Sequence, residues 1–390
     1  MGQIMHTTHY SSFPLRKTLL ALAIGAASQT AMAADAAAAK QPGEETLIVE
    51  ANETSDFKSG GDLVVPAFLD GQIAHGGRLG MLGEQKAMDV PFNVIGYTSK
   101  LIQDQQAKTI ADVVSNDAGV QAVQGYGNFA ETYRIRGFKL DGDDMTMGGL
   151  AGVVPRQVMD TQMLERVEIF KGANSLLNGA ASSGVGGMIN LEPKRAEDLP
   201  TARVGVDYTS DSQVGGTLDL GRRFGDNNQF GARVNLVHRE GEGAIDNDKR
   251  RTTLASLGLI TAATVSALAR FRLSEENVPR RYDGRQYQRR GFRSGAAGQQ
   301  QNYSQKWGYS DIESEFGMAK AEYDLTDSWT VYSALGGQHS HEIGTYSAPK
   351  LLNKNGDATV GRLDTNRIID AISGMGGVRA ISIPARFRIR

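Results

Sequence analysis

Arg134-Ile-Arg-Gly-Phe138, Leu164-Glu-Arg-Val-Glu-Ile-Phe-Lys-Gly172 and Gly186-Gly-Met-Ile-Asn-Leu-Glu-Pro-Lys194 are the stretches around which the chain is organised. Val167 to Phe170 alternates as a short strand does, and Lys171-Gly172 ends it with a turn. A glycine-rich bend follows from Gly179 to Gly187. Met188 to Leu191 then reads as a second short strand, stopped by Pro193, because proline cannot donate to a central ladder.

In this order the stretches resemble the plug domain of TonB-dependent outer-membrane receptors, specifically the ferric-siderophore group, from about Ala87 to Lys194. The resemblance implies an α+β plug, a small mixed sheet with short helices, followed by an antiparallel transmembrane β-barrel. It implies energy-coupled import of an iron chelate across the outer membrane of a Gram-negative cell: a transporter, not an enzyme. The implied partners are the TonB energy-transducing protein, the ferric siderophore and outer-membrane lipid, with the receptor a monomer. No cofactor is implied, since iron arrives only as the chelate. Receptors for haem, cobalamin or glycan are the neighbouring alternative; Arg-Gly-Phe and Gly-Gly-Met-Ile-Asn favour a siderophore.

Composition agrees with this class. The chain has 390 residues and a net charge of −2, which argues against a nucleic-acid binder. Cysteine is absent, which removes disulfides, a thiol nucleophile and thiolate metal sites. After the N-terminus no run reaches the roughly 18 apolar residues a membrane helix needs. Barrel strands are short and alternating, so a barrel also fits a mean hydropathy of −0.33.

The N-terminus reads as a secretory signal over residues 1–33: Arg16-Lys17, an apolar run from Thr18 to Ala27, and an A-x-A cleavage site at Ala31-Met-Ala33. Residues 34–85 form a periplasmic leader. Within it, Glu44 to Ala51 is a short β-prone run. Alone it is an ordinary edge strand; ahead of a plug it resembles a TonB box, about residues 45–51, with Glu45, Thr46, Leu47, Ile48 and Val49 adding as a strand to the transducer. Its place soon after the cleavage site leaves no room for a signalling domain, so transport without transcriptional signalling is expected. Asn52 to Gln85 is a Gly-rich and polar linker.

The plug is expected over 86–195. Ala87 to Val94 carries Pro91 in a strand-like run, hence an edge or bulge. Ser99 to Val114 has apolar residues at helical spacing, Thr109 as a cap ahead of Asp112, and Gly119 closing the segment. Val120 to Val123 and Thr132 to Phe138 read as strands. The loops between and after them are Gln124 to Phe129 and Asp141 to Pro155. Asp141-Gly-Asp-Asp144 fails as a calcium loop, because Met145, Thr146 and Gly152 stand where the pattern needs Asp or Asn, Gly and Glu. Gly184-Val-Gly-Gly187 lacks the third glycine and helix of a dinucleotide site. There is no P-loop lysine and no paired His spacing, so no metal or catalytic site is expected.

In the resembled family the plug's apical loops touch the iron chelate. That places ligand contacts here at Gln124, Tyr126, Asn128 and Phe129, and in the second loop at Met145, Met147 and Leu150. Aromatic and amide groups suit a bulky, partly apolar chelate. Arg134, Arg136, Glu165, Arg166 and Glu168 are expected to form salt bridges between plug and barrel wall, since buried charges are normally paired.

Residues 196–390 read as a partial barrel. Arg203 to Tyr208, Gly215 to Leu220, Phe230 to Val237, Phe316 to Tyr323 and Trp329 to Leu335 are the expected strands, with Tyr323, Trp329 and Tyr332 as interfacial aromatics. Fewer residues follow the plug than a barrel of about 22 strands needs. Ile260 to about Gln299 is crowded with arginine, and the tail from Ala380 to Arg390 is again Arg-rich. The expectation is a broken reading frame over 260–299 and 380–390, giving a truncated, non-transporting product. A remnant that only binds the transducer is the alternative.

Overall fold

A computed structural model describes residues 68–78, 80–125, 130–172, 184–209, 212–261, 264–277, 305–326, 328–352 and 358–380. The expected signal peptide, the TonB box with Glu45, Thr46, Leu47, Ile48 and Val49, and three candidate contacts, Tyr126, Asn128 and Phe129, lie outside the described residues.

The first part of the chain carries α1 (Phe68–Gly71), β1 (Ile73–Ala74), β2 (Gly76–Arg78), β3 (Glu84–Lys86), β4 (Asn93–Thr98), α2 (Ser99–Asp104) and α3 (Ile110–Val114). β5 (Val120–Gln124), β6 (Thr132–Ile135), β7 (Phe138–Asp141), β8 (Thr146–Met147), β9 (Leu150–Ala151), β10 (Leu164–Lys171) and β11 (Gly187–Pro193) follow. A six-stranded mixed sheet in the order β1-β4-β10-β11-β8-β9 is its frame, with β5-β6-β7 a separate three-stranded sheet and β2-β3 a hairpin.

The central pair β10–β11 shows why alternation was legible. Val167 faces Leu191 and Ile169 faces Ile189, all fully buried in the main core. On the other face Arg166 pairs with Glu192, Glu168 with Asn190 and Phe170 with Met188. One face is apolar and the other mostly polar, yet both are covered. Thr109 caps α3 as expected: its hydroxyl accepts from the Asp112 amide while the Asp112 carboxylate accepts from the Thr109 amide.

Two readings of this part need correction. The strand after Pro91 begins only at Asn93. Thr132 to Phe138 is not one strand: β6 ends at Ile135, and a hairpin turn at Arg136 (φ 54°) and Gly137 (φ 88°) leads into β7 at Phe138. Two positive-φ residues in a two-residue connection give the type I′ geometry whose twist matches the flanking strands.

The second part is an eight-stranded antiparallel meander: β12 (Thr201–Tyr208), β13 (Val214–Phe224), β14 (Phe230–Glu242), β15 (Asp248–Ile260), β16 (Thr264–Asn277), β17 (Tyr309–Thr326), β18 (Trp329–Leu351) and β19 (Ala358–Ala380). Alternation sorts its two faces. Val206, Leu268, Leu335 and Ile372 are exposed on the outer face, while Arg233, Phe271, Phe316 and Met318 point inward and are buried. Phe224, Phe230, Tyr323 and Trp329 gather at the end where the short turns lie, and Tyr332 is buried rather than interfacial. An outer apolar face edged by aromatics is the pattern of a lipid-facing barrel wall. No helix among the described residues is long and apolar enough to cross a membrane.

Part of the segment suspected of frame damage, residues 264–277, lies in β16. β16 pairs along its length with β15 and β17. Ala267, Ala269, Phe271 and Leu273 alternate inward, and the arginines between them meet acids: Arg270 pairs with Glu313 and Glu315, and Arg272 with Asp311. The arginines that broke the apolar pattern are half of a cross-strand ion-pair ladder. Residues 278–304 and 381–390 lie outside the described residues.

Candidate functional site

The first part seats on the inner face of this wall. One core cluster runs through both, joining Met145, Met147, Leu150 and Val153 to Phe271, Phe316 and Met318. Around that apolar contact stand three sets of polar fastenings.

At the short-turn end Arg233 of β14 is fully buried and donates to three acceptors, Asp219 at 2.7 Å, Glu197 at 2.7 Å and the Arg195 carbonyl at 2.9 Å, with the Glu165 carboxylate 3.5 Å away as an ion pair. Lys194 donates to Asp219 at 2.9 Å. Burial holds the Lys194 ammonium below its ordinary value, and Asp219 restores part of the shift. Further along β14, Asp160 bonds Arg239, which reaches Asp207 at 3.3 Å. Lys108 donates to Gln213 at 2.7 Å and to Thr209. Burial raises the Asp160 carboxyl and Arg239 opposes that rise. On β18, Glu342 meets Arg156 at 3.0 Å. Glu342 also accepts from Gln157, from Tyr346 at 3.1 Å and from Thr365 at 3.2 Å. Gln338 donates to the Val154 carbonyl at 3.2 Å. Each of these side chains is costly to leave unpartnered, which ties the two parts together in one register.

Beneath the seat, Asn190 is a fully buried hub. Its carbonyl accepts from the Thr146 hydroxyl and the Gly149 amide, both at 2.8 Å. Its amide donates to Glu168 at 2.8 Å and to Glu192 at 2.9 Å. Burial pushes both carboxyls up. Arg166 offsets only part of this at Glu168, which stays raised, whereas Arg78, Arg195 and Arg166 together leave Glu192 lowered.

The expected site residues divide accordingly. Among the described residues, Glu165 alone of the five expected salt-bridging residues reaches the wall. Arg166 and Glu168 pair with each other at 2.9 Å inside the first part. Arg134 and Arg136 are exposed, and no ion pair with the wall involves either among the described residues. Met145, Met147 and Leu150 are buried in the core under the wall rather than exposed on a loop. A methionine-rich loop looked solvated; its β8–β9 hairpin joins the sheet beside β11 instead. Gln124 ends β5 and accepts from Thr132 at 3.1 Å. The wall partners Arg233, Arg239 and Glu342 were missed. Their signal was a charge at an inward position of an alternating strand. Asn190 also had a signal, as an amide inside the apolar run Met188 to Leu191.

No metal-holding group of acids and histidines occurs among the described residues.

Comparison with known proteins bears on this arrangement. A family profile described as TonB-dependent Receptor Plug Domain matches residues 86–186. The ferrichrome receptor FcuA of Yersinia enterocolitica is 53% identical over 341 residues, spanning 85% of this chain and 44% of that protein. The ferrichrome outer membrane transporter/phage receptor of Escherichia coli K12 is 26% identical over 220 residues, 55% of this chain and 28% of that one. Among solved structures, BauA, the ferric preacinetobactin receptor of Acinetobacter baumannii, superposes with a TM-score of 0.69 at 32% identity, over 80% of this chain and 47% of that one. The siderophore receptor PiuA from the same species shares the fold, with a TM-score of 0.62 at 23% identity over 76% of this chain and 43% of that one. The chain thus spans less than half the length of these relatives.

Proposed function

Since the chain belongs to the TonB-dependent receptors, we propose that it serves the energy-coupled import of a ferric siderophore across the outer membrane, with ferrichrome the first ligand to try. The observation that carries this reading is the plug domain seated by buried ion pairs on the inner face of an outwardly apolar β-wall, in a chain 53% identical to a ferrichrome receptor. A plug inside a wall blocks passage until something shifts it. In this reading a periplasmic transducer takes hold of residues 45–51, the first 33 residues having been cleaved on export. The ligand's iron is cargo, and no residue acts as an acid, base or nucleophile toward it.

The test is uptake of radiolabelled ferric ferrichrome by receptor-deficient Gram-negative cells expressing this chain, with and without the transducer. Transducer-dependent accumulation supports the proposal. If a peptide of residues 44–51 binds the transducer but cells take up nothing, the chain retains the partner contact without transport. Loss of both removes the reading.

A further inference from the structure

The β2–β3 hairpin lies across the polar face of β10–β11, and Arg78 fastens it there by its backbone as much as by its side chain. The Arg78 amide donates to Glu168 Oε2 at 3.0 Å. Its carbonyl accepts from Asn190 Nδ2 at 3.4 Å. Its guanidinium stands 3.7 Å from Glu192 Oε2. Gly77 permits the approach: a Cβ there would come within 3.1 Å of the Glu168 carboxyl carbon. The rest of the hairpin's ladder is internal, β2 to β3.

On either side of this point the pairing is unequal. Ahead of it, β1 meets β4 through two residue pairs only, Ile73 with Tyr97 and Ala74 with Gly96. Beyond it, β4 meets β10 through six pairs, from Asn93 with Lys171 to Thr98 with Arg166. A pull on the chain from its N-terminal side therefore meets a short ladder first, then Arg78, then a long ladder.

We propose that Asn190 and Glu168 form a latch on the backbone of Arg78, which sets where the plug's N-terminal segment stops yielding. Asn190 is the positioning residue: Thr146 and Gly149 fix its carbonyl side, which aims its amide at Glu168, Glu192 and the Arg78 carbonyl together. With the latch closed, opening stays ahead of residue 76 and β4 keeps its ladder. With it open, residues 76–86 leave the polar face as one hairpin. The consequence for import rests on the receptor reading above; the latch itself does not.

Hydrogen exchange measured on the full chain in detergent tests it, without any need for transport. The amide of Arg78 is the reporter. Asn190→Ala should speed exchange across residues 76–86 at least tenfold, leaving β6 and β7 at their original rates. Arg78→Ala keeps the backbone bonds and should change the same amides less than threefold. Asn190→Ala accelerating β4, β10 and β6 equally would show a general core role and overturn the latch. So would Arg78→Ala matching Asn190→Ala, because the guanidinium would then be the fastening. Unchanged protection in both variants overturns it as well.

Discussion

Arg156 Nη2 lies 3.0 Å from Glu342 Oε2, and the pair joins the plug to β18 across 186 residues of sequence. The two ends are not equivalent. Arg156 is one of several donors that converge on Glu342, the others being Gln157, Tyr346 and Thr365.

The first prediction follows from that asymmetry. Glu342→Ala strands several buried donors and should lower stability by about 3–5 kcal/mol. Arg156→Ala leaves Glu342 three other donors and should cost about 1–2 kcal/mol. Urea titration of the detergent-folded protein measures both. Equal effects would mean that the arginine alone holds the carboxylate.

A second prediction concerns pH. Burial pushes the Glu131 carboxyl up to about 7, with Tyr133 opposing the shift and Asp112 adding to it. The folded state thus binds this proton more tightly than the unfolded chain does. The Glu131 contribution to stability should be greatest below about pH 4.5, fall as pH rises toward about 7 and level off above, by about 3 kcal/mol in total. Glu131→Gln should remove that decline and be the more stable protein at pH 8. A decline of the same size in both proteins would locate the titrating group elsewhere.

The β6–β7 turn supplies a third. Nothing lies within 4 Å of a Cβ built on Gly137, so Gly137→Ala tests the backbone alone and should cost about 1–2 kcal/mol at φ 88°. Arg136→Asn should gain a few tenths of a kcal/mol, since asparagine tolerates φ 54° better than arginine. Thermal midpoints of the two variants should move in opposite directions.

A fourth concerns the outer face. Leu268 is 61% exposed on the apolar part of the wall, two positions from the paired and equally outward Arg270. Leu268→Arg should weaken insertion into lipid vesicles by about 2–4 kcal/mol, whereas Arg270→Leu should not weaken it. Equal insertion of Leu268→Arg and the parent would place this face outside the bilayer.

What could be read in the sequence was periodic or local. The Val167 and Met188 strands, the Thr109 cap and most wall strands follow from alternation and capping chemistry within a few residues. What could not be read depended on distant partners. Arg270 and Arg272 looked foreign because the acids that pair them lie some forty residues on, in β17. Met145 and Met147 looked like loop residues because what buries them, the β8 pairing with β11 and the wall residues Phe271, Phe316 and Met318, is distant in sequence. The Arg-Gly-Phe motif looked like strand because its apolar neighbours alternate, and positive φ at an arginine leaves no mark in composition. The same limit applies to the plug–wall pairs. A sequence shows that charges need partners but not which wall position supplies them.

The seat of the plug combines an apolar patch with ringed charges, and the two respond differently to water. An apolar contact once parted gains nothing from solvent, whereas each separated ion pair is rehydrated. Parting the joint therefore costs the apolar contact, whereas the charges of Arg233, Arg239 and Glu342, buried at rest, regain hydration as water enters.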